Sequence, residues 1–431
     1  MAIDIQFDVE NANAEPGRHI ARTMHLLADS TSARPNEVRV LVYGQSISKQ
    51  AWWLKVKHAL QEAYPHANLT MENRAIGGFH STRLLRCAAN DVRLFYPDLV
   101  LFQDYGPRDD YEAIIQAMRR ETTAEIAVQT DHYVRRQNED WHDEHAETWM
   151  PALCDRYDLE LIDVRANWKR YLREHNLEPE ALLRDNVHLN RRGNALMAAI
   201  IQAHLVHNPA LDPDPQGLVR VLQAGEAFDA SKATMDISFE GNRVDLVGAG
   251  RWIGAEVLID GRPPSAWKSV HVAERPWLGK SWPPKVGLPV RIDLGAEPKP
   301  GTWELRVQAV EEDGGVVHFE AYRRDDGRQG AGMSTARFVS ESGQVVIEPE
   351  AWFVRESPGF FGSLGAVEAG DRIPWTIHRM GRDRVQQTLA LGTTVTLAQG
   401  LPNGSHRLTL KGGRALPIRA LRVYRPPLEQ E

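Results

Sequence analysis

Three side chains able to share nucleophilic catalysis stand far apart in the chain. Ser46 lies in Gly44-Gln45-Ser46-Ile47-Ser48, and Asp185 and His188 lie in Arg184-Asp185-Asn186-Val187-His188-Leu189-Asn190-Arg191-Arg192-Gly193-Asn194. A serine hydroxyl is a weak nucleophile until a base takes its proton, and a neutral imidazole is the side chain best suited to that near neutral pH. An aspartate three residues before a histidine at a helix entry can share its face. The ring is then free to reach Ser46 while the carboxylate fixes its tautomer and stabilises the imidazolium. Taken singly, Ser46 and Asp185 read as helix caps and His188 as a surface histidine. Their placement together at one sheet edge favours a catalytic assembly.

Two further loops supply groups for such a site. Gly44 permits a sharp strand-to-helix bend that leaves the Ser46 hydroxyl and N–H facing a crevice. In Asn73-Arg-Ala-Ile-Gly77-Gly78-Phe-His-Ser81 the paired glycines let backbone N–H groups approach a ligand oxygen and stabilise an oxyanion. Up to about residue 210 the chain resembles the SGNH, or GDSL-like, hydrolase superfamily. GQSIS stands where the first block reads Gly-Asp-Ser-x-Ser, and DNVHLNRRGN where the last reads Asp-x-x-His. No Gly-x-Ser-x-Gly elbow surrounds Ser46, unlike the ordinary α/β-hydrolases. The resemblance implies an esterase or deacylase with Ser46, Asp185 and His188 as its triad. Its oxyanion hole would use the Ser46 N–H, an N–H of Gly78 or Gly77, and an asparagine of the third block. That block here reads Leu99-Val-Leu-Phe-Gln103-Asp104-Tyr105-Gly106-Pro107, without the asparagine. Either Gln103 substitutes or the chemistry differs. Gln45 replaces the first-block aspartate, as in some sugar acetylesterases of the superfamily.

The altered third block keeps a second chemistry open. Asp104, Asp131 (in Gln129-Thr-Asp131-His132) and Asp185 are expected around the same crevice, where two suitably spaced carboxyls can act as acid and base on a glycosidic bond. A glycoside hydrolase, lyase or glycosyl-transferring enzyme would use them. A third reading is a non-catalytic glycan-binding protein on a hydrolase scaffold.

The elements that must position these residues are legible as short apolar runs. Residues 38–43, 68–72, 98–102, 124–130 and 159–163 read as buried strands. Between them Trp52 to Tyr64 carries Trp52, Val56, Ala59, Leu60 and Ala63 on one helical face, and Arg192 to Leu205 carries Leu196, Met197, Ile200, Ile201 and Leu205. Alternating strands and helices predict an α/β domain over residues 1–210, a three-layer doubly wound parallel sheet of the SGNH or flavodoxin-like kind. Ligands of such sheets bind outside the carboxyl ends of the strands.

After the Pro- and Asp-rich residues 207–217 helical periodicity fades. Runs such as Ile237–Phe239, Val244–Leu246, Val257–Ile259, Trp303–Val307, Val317–Phe319 and Leu408–Leu410 alternate, punctuated by IDGRPP and LPNGS. Residues 211–431 are therefore expected to form one or two all-β sandwich domains, in the second case one inserted in the other or two in series. Met235–Asp260 and Leu401–Leu410 resemble the first and last strands of galactose-binding-like jelly rolls, which implies a carbohydrate partner. Trp267, Trp277 and Trp282 read first as core, and otherwise as a sugar-stacking surface.

Composition limits the alternatives. A formal charge of −7, with 51 basic residues among 58 acidic ones, offers no cationic face for nucleic acid. Cys87 and Cys154 read as buried free thiols, and His142-Asp-Glu-His145 as a polar loop, with no metal and no cofactor expected. Gly279-Lys280-Ser281 reads as a turn and not a phosphate loop, and Gly248-Ala-Gly250-Arg-Trp-Ile-Gly254 as a turn and not a dinucleotide-binding one. With neither an apolar leader nor a membrane span in these 431 residues, the expected location is the cytoplasm. Self-association is left open.

Overall fold

The structure is a computed structural model that describes residues 5, 7–10, 15–276, 288–311, 315–354, 367–412 and 415–429. Two compact units divide the chain: Met1–Leu85, Phe95–Arg119 and Thr123–Gly217 in the first, and Arg86–Leu94, Arg120–Thr122 and Leu218–Glu431 in the second. Among the described residues no helix is long and apolar enough to cross a membrane.

In the first unit five parallel strands, β1 (Glu37–Gly44), β2 (Asn68–Asn73), β3 (Leu99–Gln103), β4 (Glu125–Gln129) and β5 (Glu160–Ile162), lie in the order β2-β1-β3-β4-β5. That is the flavodoxin-like order, and its switch point falls between β1 and β3. β1 pairs with both neighbours, Val38 with Leu69 and Val42 with Leu101. Because side chains alternate along a strand, Val38, Val40, Val42, Leu99 and Leu101 join one core with Ala127 and Ile162. Leu41, Tyr43, Val100, Phe102, Ile126 and Val128 are likewise fully enclosed, so both faces of the sheet are covered, as parallel sheets require.

The helices are α1 (Ala21–Ala28), α2 (Trp52–Ala63), α3 (Ser81–Phe95), α4 (Arg108–Glu121), α5 (Glu139–Glu144), α6 (Met150–Tyr157), α7 (Val164–Glu174) and α8 (Arg191–His204). The expected stripe of α8 is buried throughout. On α2, Trp52, Val56 and Leu60 are buried, but Ala63 is exposed because the chain leaves the helix one residue later. Residues 139–157 are not a polar loop: α5, a π turn at His145–Trp149 and α6 run in succession. There His145 stacks between Trp141 and Trp149, with ring centroids 4.7 and 4.6 Å away. Residues 17–27 pack on this unit. Ile20, Met24 and Leu27 enter its core, and carboxylates at the starts of β4 and β5 accept the first helical N–H groups. Glu160 takes those of Gly17 and His19, and Glu125 those of Arg22 and Thr23.

The second unit is antiparallel. One six-stranded sheet runs β17-β8-β18-β7-β19-β6, from β6 (Val219–Gln223), β7 (Thr234–Gly248), β8 (Trp252–Ile259), β17 (Arg384–Thr388), β18 (Thr394–Lys411) and β19 (Ile418–Tyr424). The segment between β8 and β17 builds two more sheets. A five-stranded one, β13-β12-β11-β16-β9, comprises β9 (His271–Ala273), β11 (Gly301–Val310), β12 (Val317–Arg323), β13 (Gly327–Met333) and β16 (Arg372–Arg379). A three-stranded one holds β10 (Asp293–Leu294), β14 (Phe338–Val339) and β15 (Val345–Ile347). These two sheets share a core of their own, in which Trp303 and Trp375 stack with centroids 6.0 Å apart.

LPNGS is not a hairpin turn. It lies inside β18, where pairing with β7 breaks between Gln399 and Gly404. Facing it, Gly241 adopts φ +143°, and a Cβ there would meet the Tyr424 carbonyl at 2.1 Å. IDGRPP does turn, with Ile259 bridging to Arg262. β18 is followed by β19, so Leu401–Leu410 is not the last strand. Trp267 packs against the six-stranded sheet's core under the Arg262 guanidinium, 4.2 Å from its ring centre. Trp277, Trp282 and Gly279-Lys280-Ser281 lie outside the described residues. Cys87 and Cys154 are buried and not joined in a disulfide.

Gly44 sets the β1–β3 contact at the end where the loops diverge. It holds φ +134°, and a Cβ would fall 1.8 Å from the Gln103 carbonyl oxygen, a backbone atom already accepting the Gln45 N–H. Gly44→Ala should therefore destabilise the fold by about 2–5 kcal/mol through strain and overpacking. Urea unfolding checks this, and an unchanged midpoint contradicts it.

Candidate active site

The loops at the carboxyl end of the sheet bring Ser46, His188 and Asp185 together. After β1 the chain makes a turn, with the Lys49 N–H on the Ser46 carbonyl at 3.2 Å, before α2 begins. Asn73, ending β2, braces this turn through an Nδ2 bond to the Ser48 carbonyl at 2.7 Å. Residues 185–188 belong to no helix. Asp185 shapes them as an Asx-type turn, its Oδ1 accepting the N–H of Val187 at 2.9 Å and of His188 at 2.7 Å. The cap of α8 is instead Asn190, whose side chain accepts from the N–H of Arg192 and Gly193.

The His188 ring bridges the two loops. Its Nδ1 lies 3.1 and 3.0 Å from the two Asp185 oxygens, and its Nε2 lies 3.1 Å from Ser46 Oγ. With Nδ1–H donating to the carboxylate, Nε2 is left to accept from the serine hydroxyl. Ser46 and His188 are half-buried and Asp185 is exposed. Gln45 is buried beneath them, and its Oε1 stands 3.3 Å from both the N and Oγ of Ser46. Gly77 and Gly78 form a turn after β2, Gly78 at φ +78°. Neither glycine N–H has an acceptor among the described residues.

The other sequence candidates are enclosed. The Gln103 amide has no exposed N or O and no hydrogen-bond partner among the described residues. Asp104 accepts the Tyr105 N–H at 2.8 Å through Oδ1, while Oδ2 is buried without a partner. Burial pushes its carboxyl well above the usual range, opposed only by that one backbone bond. Burial thus shifts Asp104 toward its neutral acid form. Asp131 is also buried, 2.9 Å from His142 Nδ1 and flanked by Arg165 and Arg136 at 3.5 and 3.7 Å. Burial works to raise its pKa, but His142 and the arginines outweigh it and hold the group ionised.

Asn194 was not singled out by sequence reasoning. It is 8% exposed, and its Oδ1 accepts the Trp52 N–H at 3.0 Å while its Nδ2 donates to the carbonyls of Leu189 and Asn190. One amide thus ties the first turn of α2 to the entry of α8. Its only sequence signal is a polar residue on the otherwise apolar face of α8.

Asp185 also links the site to stability. Burial acts to raise its pKa, but the N–H groups of His188 and Val187 and the His188 ring dominate and bring it to about 2. A folded value below the unfolded one, about 3.9, contributes stability above that pH and loses it as pH falls toward the folded value. The urea midpoint of wild type should exceed that of Asp185→Asn at neutral pH, and the gap should close from about pH 4 toward pH 2. Exposure keeps the gap modest. A gap that widens on acidification contradicts the assignment.

No family model matches the sequence, and no curated protein does. Solved structures do. Axe2, an acetylxylan esterase from Geobacillus stearothermophilus, is 18% identical with a TM-score of 0.36, over 41% of this chain and 98% of that one. The acetyl xylan esterase AlAXEase is 20% identical with a TM-score of 0.36, over 39% of this chain and 100% of that one.

Proposed function

We propose that the first unit is a serine esterase that removes O-acyl groups from a carbohydrate. The observation that carries this is the continuous line from Ser46 Oγ through the His188 ring to Asp185, at 3.1 and 3.0 Å. Ser46 Oγ attacks the acyl carbon as its proton passes to His188 Nε2. The tetrahedral intermediate then breaks its bond to the sugar oxygen, which takes the proton back from Nε2. Water, deprotonated by His188, attacks the acyl-serine and releases the carboxylic acid and free Ser46.

The developing oxyanion needs donors, and the available ones are the Ser46 N–H and the N–H groups of Gly77 and Gly78. Gln45 Oε1, 3.3 Å from the Ser46 nitrogen, competes for that place. Substrate must displace it or meet the amide turned end for end, with Nε2 donating. Gln103 is enclosed and does not replace the missing third-block asparagine in this reading. The sugar-ester class rests on the sequence resemblance, in which Gly-Gln-Ser is the first block of some sugar acetylesterases. The antiparallel second unit is assigned glycan binding on the same ground. Burial of the Asp104 and Asp131 side chains argues against a carboxylate pair acting on a glycosidic bond.

Ser46→Ala and His188→Ala should each lower kcat on p-nitrophenyl acetate and on acetylated xylo-oligosaccharides by about three orders of magnitude or more. Their unfolding midpoints should stay near wild type, since both side chains are solvent-reached. Undiminished ester hydrolysis by folded Ser46→Ala ends the proposal. So does cleavage of unacetylated oligosaccharides that survives that change.

A further inference from the structure

We infer that His132 and Gln50 are positioning residues, which set where the His188 imidazole stands by holding the two peptide groups that flank it. The inference rests on the triad proposed above. His132, in the loop after β4, donates Nε2–H to the Val187 carbonyl at 2.7 Å. Gln50, in the turn that carries Ser46, accepts the Leu189 N–H at 2.9 Å through Oε1. Within the loop itself, the His188 N–H goes to Asp185 at 2.7 Å and the His188 carbonyl accepts the Arg184 N–H at 2.8 Å. All four polar groups of the two peptides around His188 are thus engaged, which fixes the direction of its Cα–Cβ bond. Only the two side-chain torsions remain, and these are set by Asp185 and Ser46.

The two local bonds would survive if the whole loop tilted. The two distant ones would not, so they define the loop's place relative to the sheet. Gln50 is the more telling, because its own N–H is bonded to the Ile47 carbonyl at 3.1 Å in the same turn as the nucleophile. Base and nucleophile are therefore coupled through the Gln50 side chain as well as through the Ser46–His188 hydrogen bond.

His132 is 1% exposed and lies edge-on to Trp168, with centroids 5.4 Å apart. Its Nδ1 is buried with no partner among the described residues. Burial lowers its pKa to about 4, so at neutral pH the ring carries one proton, and the Val187 carbonyl requires that proton on Nε2.

The test compares the full chain with His132→Phe, His132→Gln, His132→Asn, Gln50→Leu and Gln50→Glu. The readouts are kcat and KM on p-nitrophenyl acetate, the rate at which a fluorophosphonate labels Ser46, and the unfolding midpoint. A misplaced base costs about tenfold to a hundredfold in rate. His132→Phe and Gln50→Leu should lose that much in kcat and in labelling rate, with KM little changed. His132→Gln, whose amide nitrogen reaches the place of Nε2, and Gln50→Glu, which keeps an acceptor, should recover most of it; His132→Asn, one methylene shorter, should not. Folded His132→Phe and Gln50→Leu with wild-type rates overturn the inference. If the phenylalanine variant does not fold, equal rates in His132→Gln and His132→Asn overturn it instead. An inactive Ser46→Ala beside a fully active His132→Phe sinks this inference alone. A wild-type chain inert to both ester and phosphonate sinks the esterase reading and this one together.

Discussion

One carboxylate oxygen organises the loop on which the site depends. Asp185 Oδ1 receives the N–H of Val187, the N–H of His188 and a share of the ring Nδ1–H. A loop outside regular structure has no ladder to satisfy its peptide groups, so without such an acceptor these donors would turn to water and the ring would lose its orientation. An ionised group serves best, because bonds to a charge are shorter and stronger than neutral ones. Those donors in turn keep the carboxyl at about 2, ionised across the working pH range.

The same physics separates the three aspartates read from the sequence. Asp185 is ionised because donors surround it. Asp131 is ionised although buried, because His142, Arg165 and Arg136 stand within 4 Å. Asp104, with one backbone donor and no cation among its described neighbours, is pushed toward the neutral acid by burial.

The second unit has its own constraint. Its six-stranded sheet relies on two long strands, β7 and β18, whose register shifts twice, between Thr396 and Ala398 and, more widely, between Gln399 and Gly404 opposite Gly241. Before that point β7 alternates exposed and buried residues, and beyond it every residue is buried. Gly241 lets the strand run against the Tyr424 backbone, where any side chain would collide.

Periodicity and turn chemistry are local properties, and they were sufficient for the fold class of each half. Apolar runs gave five strands within two residues of their ends, the stripe of α8, and the antiparallel character of the second half. The motif blocks at Ser46 and at Asp185–His188 were also legible, since each is a short contiguous pattern. Tertiary structure alone decided what surrounds them. That Gln103 and Asp104 are sealed from solvent, that LPNGS bends a strand instead of ending one, and that His142-Asp-Glu-His145 is helical all depend on packing partners distant in the chain. Most of all, the bonds from His132 to Val187 and from Gln50 to Leu189 join residues 55 and 139 positions apart. No local spacing encodes them, because burial, which makes an unpaired carbonyl or N–H costly, exists only once the chain has folded.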